Sequence, residues 1–292
     1  MARVAFIGLG NMGGGMAANL AKHGHDVRAF DLSAEALARA EAAGCLVAES
    51  AAAAVEGVEA VVSMLPAGRH VAQVYDDILP LIAPAAILID CSTIDVATAR
   101  AVAEQARARG VAAVDSPVSG GIAAATAGTL TFMVGGPADS FERARPFLEA
   151  MGKAVIHAGA SGTGQAAKLC NNLILGATMI ATCEGFVLAE RLGLDPQVFY
   201  DIASKATAQS WSMTSYCPVP GVGPTSPADN DYRGGFAGAL MLKDLELAMA
   251  AAADGGATLP LGEHARDLYR AFGEGGHGGE DFSGIIRMLR GA

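Results

Sequence analysis

The sequence predicts an α/β chain in two parts: a doubly wound, mainly parallel sheet over residues 1–161, then an all-helical region over residues 162–292, joined by one long helix. Three observations carry this. Short apolar runs alternate with alanine-rich stretches of helical period through the first half. The alternation stops near His157, and an unbroken helical pattern without proline then runs over residues 164–191.

The apolar runs fall at residues 4–8, 27–31, 61–65, 87–91 and 111–115, with helical stretches at 12–22, 34–43, 71–82 and 96–109 between them. Strand, crossover helix and parallel strand in this rhythm build an open sheet with helices on both faces. Near-continuous apolar composition in the strands fits a sheet covered on both sides. Weaker runs at 130–134 and 155–157 flank a helix at 139–151 and complete the sheet. In the long helix, Ala167, Cys170, Leu173, Ile174, Ala177, Ile180 and Ala181 follow the helical period. At about 1.5 Å per residue it reaches about 40 Å, enough to leave one domain and run through another. Gly193 ends it, and Asp195-Pro196 starts a helix at 196–204 with a cap and an N1 proline. Further helices are expected at 237–253, 261–272 and 281–289, with no strand after residue 160. Residues 210–235 read as a long proline- and glycine-rich loop of the kind that carries function, and residues 273–279 as a flexible link.

Composition narrows the function. With 52% apolar and 17% charged residues the chain can bury a core, so disorder is excluded. Aromatics make up only 5%, so the 61 alanines imply a helix-rich, closely packed interior. A net charge of −10 without basic runs argues against nucleic acid and anionic membrane surfaces. The longest uninterrupted apolar run, residues 173–183, is too short to cross a bilayer, and residues 3–7 do not read as a leader, so no membrane span and a cytoplasmic location are expected. Five scattered cysteines lack C-x-x-C spacing, and no His/Cys/Asp/Glu cluster suggests a metal.

Gly8-Leu9-Gly10-Asn11-Met12-Gly13 is a G-x-G-x-x-G between a predicted strand and a predicted helix. In that setting the first glycine allows the tight turn, the second lets a pyrophosphate approach, and the third lets helix and strand pack closely, with free helix N–H groups facing the phosphates. The next strand ends in Asp31, 18 residues after Gly13. A carboxylate there accepts from the adenosine ribose hydroxyls and repels a 2′-phosphate, so NAD is favoured over NADP. The alternative is a cap for the following turn with Ser33. Ligands in such sheets sit at strand carboxyl ends, which singles out Met64-Leu65-Pro66 and Cys91-Ser92-Thr93, positions that ordinary turn chemistry would also explain.

These residues resemble the β-hydroxyacid dehydrogenase family. The glycine loop with Met16-Ala17, Asn19-Leu20 and Gly24-His25 matches its N-terminal signature. Three further blocks follow in order: Asp115-Ser116-Pro117-Val118-Ser119-Gly120-Gly121 with Gly128-Thr129-Leu130; Gly162-x-Gly164-x-x-x-Lys168-x-x-Asn171-Asn172; and Lys243-Asp244-Leu245. Together they span nearly the whole chain. The resemblance implies a Rossmann-like NAD-binding domain followed by a helical substrate and oligomerisation domain. Lys168 falls on the family's catalytic lysine and Asn172 on its assisting asparagine, while Asn171 is read as serving the helix fold.

Lys168 and Asn172 share one helix face, four residues apart, and Ala166, Ala167, Leu169, Cys170 and Leu173 supply an apolar setting that would desolvate an ammonium toward the state a general acid/base needs. Otherwise Lys168 would be an ordinary solvated helix lysine. Ser119, Gly120 and Gly121 match the family's substrate motif, where a hydroxyl and successive N–H groups bind a carboxylate; alone they would read as a tight turn before a helix. By resemblance Leu65, Pro66 and Thr93 contact the dinucleotide, Lys243 reaches the bound cofactor, Asp244 lies near the substrate, and Trp211 and Tyr216 shape its pocket. The loop over 210–235 looks most like that of members acting on 3-hydroxyisobutyrate. NAD-dependent oxidation of that small β-hydroxy acid to methylmalonate semialdehyde, in valine breakdown, by a homodimer or homotetramer, is therefore expected. L-serine, tartronate semialdehyde and four-carbon hydroxy acids are alternative substrates, and an inactive binding or scaffold protein on the same fold is the alternative of another class.

Overall fold

The computed structural model describes residues 1–291 and divides into two compact units, Met1–Lys168 and Leu169 onward. The division falls seven residues later than the expected boundary after 161, because the first turns of the long helix are held by strand ends of the first unit.

In the first unit the order is β1 (Arg3–Ile7), α1 (Gly13–Lys22), β2 (Asp26–Phe30), α2 (Ala34–Ala42), β3 (Leu46–Val47), α3 (Ala51–Ala54), β4 (Ala60–Ser63), α4 (Gly68–Ile78), β5 (Ile87–Asp90), α5 (Val96–Ala108), β6 (Ala112–Asp115), β7 (Val118–Ser119), α6 (Gly121–Ala127), β8 (Leu130–Gly135), α7 (Ala138–Glu149), β9 (Gly152–Gly159) and the start of α8 (Thr163–Arg191). The strands form one sheet in the order β3-β2-β1-β4-β5-β6-β8-β7, with β9 also on β8. β3, β2, β1, β4, β5 and β6 run parallel, as expected; β8 is antiparallel to β6 and β7 and parallel to β9. Alternate residues of the central strands feed two cores. Val4, Phe6, Val62 and Ile89 pack on one face, and Ala5, Ile7, Val61 and Leu88 on the other. Burial on both faces is why these strands read as unbroken apolar runs. The two-residue strands β3 and β7 and the short helix α3 escaped the sequence reading, being too short to show a period, while α6 is the helix of the alternative reading at Ser119-Gly120-Gly121.

The second unit contains the rest of α8, α9 (Pro196–Ala203), α10 (Trp211–Thr214), α11 (Gly238–Asp254), α12 (Pro260–Phe272) and α13 (Ile285–Arg290). Met179, Cys183 and Phe186 of α8 pack with Met241, Leu245, Tyr269 and Phe282 in its core. Three expectations change here. α8 is 29 residues long with a mean hydropathy of 1.6 in its most apolar window, enough by length and composition to cross a membrane. The apolar run over residues 173–183 is bounded by Asn172 and Glu184, whereas the longer window runs across at least one of these polar residues; the helix also supplies the core of its own unit, as a core helix outside a membrane does. Residues 210–235 are not bare loop: they hold α10 and a 3₁₀ turn at Pro227–Asn230 closed by a Ser226/Asp229 capping box. The expected flexible link, Gly273–His277, is a helical turn kinked at Gly276, whose φ of 90° is not helical. An isolated bridge between Ala237 and Asp281 is the nearest approach to strand pairing in this unit among the described residues.

Candidate active site

The glycine loop follows β1 and leads into α1. Gly8 has φ of +90°, and a Cβ there would lie 2.4 Å from the Met64 carbonyl oxygen; at Gly13 it would lie 2.0 Å from that of Gly8. These two glycines are demanded by the protein's own packing. Gly10 differs: it is exposed, and a Cβ there would meet nothing within 4 Å. Its bareness serves no contact within the chain and fits the approach of a phosphate. Asn11 is exposed, and Met12 precedes the helix without a side-chain cap; in the first turn the Gly14 N–H is taken by the Leu9 carbonyl. A solvent-open cavity of about 330 Å³ borders Gly10 and Asn11. Asp31 closes the loop from β2: its Oδ2 accepts the Leu9 N–H at 2.6 Å and its Oδ1 the Ser33 N–H at 2.8 Å. It therefore makes the bond to Ser33 that the capping alternative foresaw, and carboxylate lone pairs remain for further donors. The loop and its carboxylate thus fit a dinucleotide.

The ends of β4, β5 and β6 are joined by buried hydrogen bonds. Asp90 Oδ1 accepts from Ser63 Oγ (2.7 Å) and Ser92 Oγ (2.6 Å), and the Leu65 N–H donates to Ser92 Oγ at 2.8 Å. The Gln165 side chain spans the flanks of Thr93, donating to the Ser92 carbonyl at 2.8 Å and accepting the Ile94 N–H at 3.1 Å. Asp115 accepts the N–H groups of Gly162 (2.6 Å) and Gln165 (2.9 Å), holding the N-terminus of α8. Burial pushes the carboxyls of both Asp90 and Asp115 above the usual range, against the opposing effect of these hydrogen bonds. Pro66 is exposed and Leu65 and Thr93 half-buried beside this network.

Ser119 lies in β7, opposite Thr131 of β8, and Gly120 and Gly121 open α6 with φ of +136° and +70°. A Cβ on Gly121 would meet nothing within 4 Å, so this turn also presents open backbone. Lys168 sits in the second turn of α8 and is 7% exposed; Asn172 follows one turn later, 1% exposed. In the second unit the Asn172 amide donates to Asp244 Oδ2 at 2.6 Å and accepts from the Asn171 amide at 2.9 Å. Lys243 Nζ lies 3.4 Å from Asp244 Oδ1, an oxygen that is buried without a hydrogen bond of its own. Asn172, Lys243 and Asp244 are thus one polar cluster, although Lys243 and Asp244 are consecutive on a helix.

Trp211 stacks on Tyr216 with ring centroids 4.7 Å apart, and Trp211 is 52% exposed, unlike the core tryptophan that composition alone would suggest. The Tyr216 hydroxyl donates to Asp281 Oδ2 at 2.8 Å, which also accepts the Phe236 N–H at 2.8 Å. One buried carboxylate so ties both ends of the 210–235 segment. Burial, then the neighbouring Asp281 charge, pushes the Tyr216 phenol upward.

The proposed dinucleotide residues Gly8–Gly13, Asp31, Leu65, Pro66 and Thr93 all belong to strand ends or turns of the first unit, whereas Lys243 belongs to the cluster in the second. Sequence reasoning singled out the strand end that carries Ser92 but missed Gln165, Asp90 and Asp281. A polar residue at the end of an apolar strand was the available signal for Asp90; Gln165 and Asp281 carried none without the fold.

Comparison with known proteins follows the same division. Residues 3–159 match the family model described as the NAD binding domain of 6-phosphogluconate dehydrogenase, and residues 162–289 match that described as NAD-binding of NADP-dependent 3-hydroxyisobutyrate dehydrogenase. A 3-hydroxyisobutyrate dehydrogenase of Pseudomonas aeruginosa is 49% identical over 100% of this chain and 99% of its own. An NAD-dependent L-serine dehydrogenase of the same organism is 46% identical over 99% and 98%. Among solved structures, Mycobacterium tuberculosis 3-hydroxyisobutyrate dehydrogenase with L-serine is 50% identical, with a TM-score of 0.95 over 99% of each chain. With paired domain models over nearly its whole length and such relatives, the chain belongs to the β-hydroxyacid dehydrogenase family and is an NAD-binding oxidoreductase.

Proposed function

We propose that the chain oxidises 3-hydroxyisobutyrate to methylmalonate semialdehyde as a step of valine breakdown, with Lys168 as general acid/base. The observation that carries this reading is the seating of Lys168: a buried lysine one helical turn before Asn172, on a helix whose N-terminus is held by Asp115 at the end of β6. The N-terminal domain takes the dinucleotide through Gly8, Leu9, Gly10, Asn11, Met12, Gly13, Asp31, Leu65, Pro66 and Thr93, with NAD preferred. Bound NAD supplies the hydride acceptor. As hydride leaves the carbinol carbon, the Lys168 amine takes the hydroxyl proton; in reverse its ammonium returns a proton to the carbonyl oxygen. Asn172, fixed by Asp244, orients the lysine and the substrate, and Ser119 with the N–H groups of Gly120 and Gly121 takes the carboxylate. Lys243 serves the cofactor and Asp244 the substrate end of the cluster; Trp211 and Tyr216 shape the substrate pocket.

The decisive test is Lys168→Ala. Loss of roughly 10²- to 10⁴-fold in kcat with NADH binding kept, by fluorescence titration, is expected for a missing acid/base; near-normal kcat would remove Lys168 from the mechanism. L-serine is the second reading, favoured by the 46% identical L-serine dehydrogenase and by the related structure with L-serine. NADH absorbance across short β-hydroxy acids separates the two. We further place the enzyme in the cytoplasm as a homodimer or homotetramer. Ile174, Leu188 and Leu192, 63%, 60% and 76% exposed, form an apolar stripe along and just past α8 that supports a contact between copies, and sedimentation as a monomer would exclude it.

A further inference from the structure

We infer that Gln165 is a positioning residue for the reaction: its side-chain amide clamps the backbone on both sides of Thr93 to the first turns of α8, so that the strand ends facing the dinucleotide and the Lys168 amine are held in one frame. The inference rests on the assignment of Lys168 as acid/base.

The side chain is 0% exposed and both ends are engaged. Nε2 donates to the Ser92 carbonyl at 2.8 Å, and Oε1 accepts the Ile94 N–H at 3.1 Å. Ser92 extends the connection, since its hydroxyl accepts the Leu65 N–H and donates to Asp90. One continuous path therefore joins Leu65, at the end of β4, and residues 92–94, at the end of β5, to a helix residue three positions before Lys168. The backbone of the same helix residue is pinned separately, its N–H donating to Asp115 at 2.9 Å. Packing adds a steric stop: a Cβ on Gly164 would lie 2.4 Å from the Met133 carbonyl and 2.6 Å from that of Asp115. The helix start cannot slide toward the sheet, and the amide prevents it from turning away from residues 92–94.

An ordinary buried glutamine adds stability by satisfying backbone groups. This one bonds two groups that bracket a proposed cofactor contact, from a helix turn that carries the proposed base. Hydride and proton transfer both depend on distances set across that connection, and misplacement by about 1 Å can cost about 10²-fold in rate. The atoms reacting are unaffected; Gln165 acts only through Thr93 and Lys168.

The test uses the NAD-loaded full chain, with whichever of 3-hydroxyisobutyrate and L-serine turns over faster, unlabelled and deuterated at the carbinol carbon. Gln165→Met keeps the volume and removes both bonds. Positioning predicts a fall in kcat of about 10- to 100-fold, hydroxy-acid KM and NADH Kd within about threefold, and a larger deuterium isotope effect because the chemical step has slowed. If the methionine variant does not fold, Gln165→Glu keeps the shape and the acceptor for Ile94 and should show the same pattern. The inference is overturned if kcat stays within about twofold of wild type, or falls only as the folded fraction falls, with the isotope effect unchanged. Lys168→Ala, run in parallel, separates the two claims. Its activity surviving overturns both, whereas an inactive Lys168→Ala beside a normal Gln165→Met overturns the positioning role alone.

Discussion

Gly10 offers a perturbation whose effects on stability and on cofactor binding should have opposite signs. In Gly10→Ala the new methyl group meets no protein atom within 4 Å, and the backbone there is outside the left-handed region, so the folded state accommodates it without strain. The unfolded chain loses freedom, which stabilises by about 0.4–1 kcal/mol, or roughly 1–3 °C in Tm. A dinucleotide approaching this backbone meets the methyl directly. Losing one or two hydrogen bonds to the pyrophosphate, at about 1.5–3 kcal/mol each, should weaken NADH by at least about tenfold. Thermal melting of the free protein and fluorescence titration with NADH read the two effects separately. Gly13→Ala is the contrast: with its Cβ 2.0 Å from the Gly8 carbonyl oxygen, it should lower Tm whatever is bound. An unchanged NADH Kd in a stable Gly10→Ala protein would refute the placement of the pyrophosphate.

Two further substitutions follow from the buried carboxylates. Asp90 binds its proton more tightly folded than unfolded, so its ionisation costs the native state stability as pH rises through the folded pKa. Asp90→Asn can keep the hydroxyl bonds, which reach one oxygen, and its Tm relative to wild type should climb as pH rises above the ordinary carboxylate range; a difference independent of pH would contradict this. Asp31→Asn keeps one acceptor oxygen where two backbone N–H groups are bound, and should lower stability by about 1–3 kcal/mol. The preference for NAD over NADP should fall about tenfold in kcat/KM, since one bond to a charged group is worth about that much. Retained discrimination would leave Asp31 as a loop tie only.

Much of the fold was written in local pattern. The strands of the first unit alternate with helices because each is apolar on both faces, and α8 is legible because its helical period continues without a breaker. The glycine loop was readable for a related reason: Gly8 and Gly13 answer steric demands between neighbouring segments, and Gly10 keeps open a place that no side chain of this protein fills. Lys168 and Asn172 could be paired from spacing, because four residues make one helical turn.

Tertiary structure alone decided which distant groups meet. The spacing of Lys243 and Asp244 gave no sign of a link to Asn172, yet Asp244 is buried and bonded to Asn172, 72 positions away. Gln165 had no pattern of its own, yet folding seats it across Thr93, and Asp281 holds Tyr216 and Phe236 together from the far end of the chain. The physical reason is that periodicity records which way a side chain faces within its own element, whereas a hydrogen bond between elements depends on where two backbones have been brought, and no local sequence pattern encodes that distance.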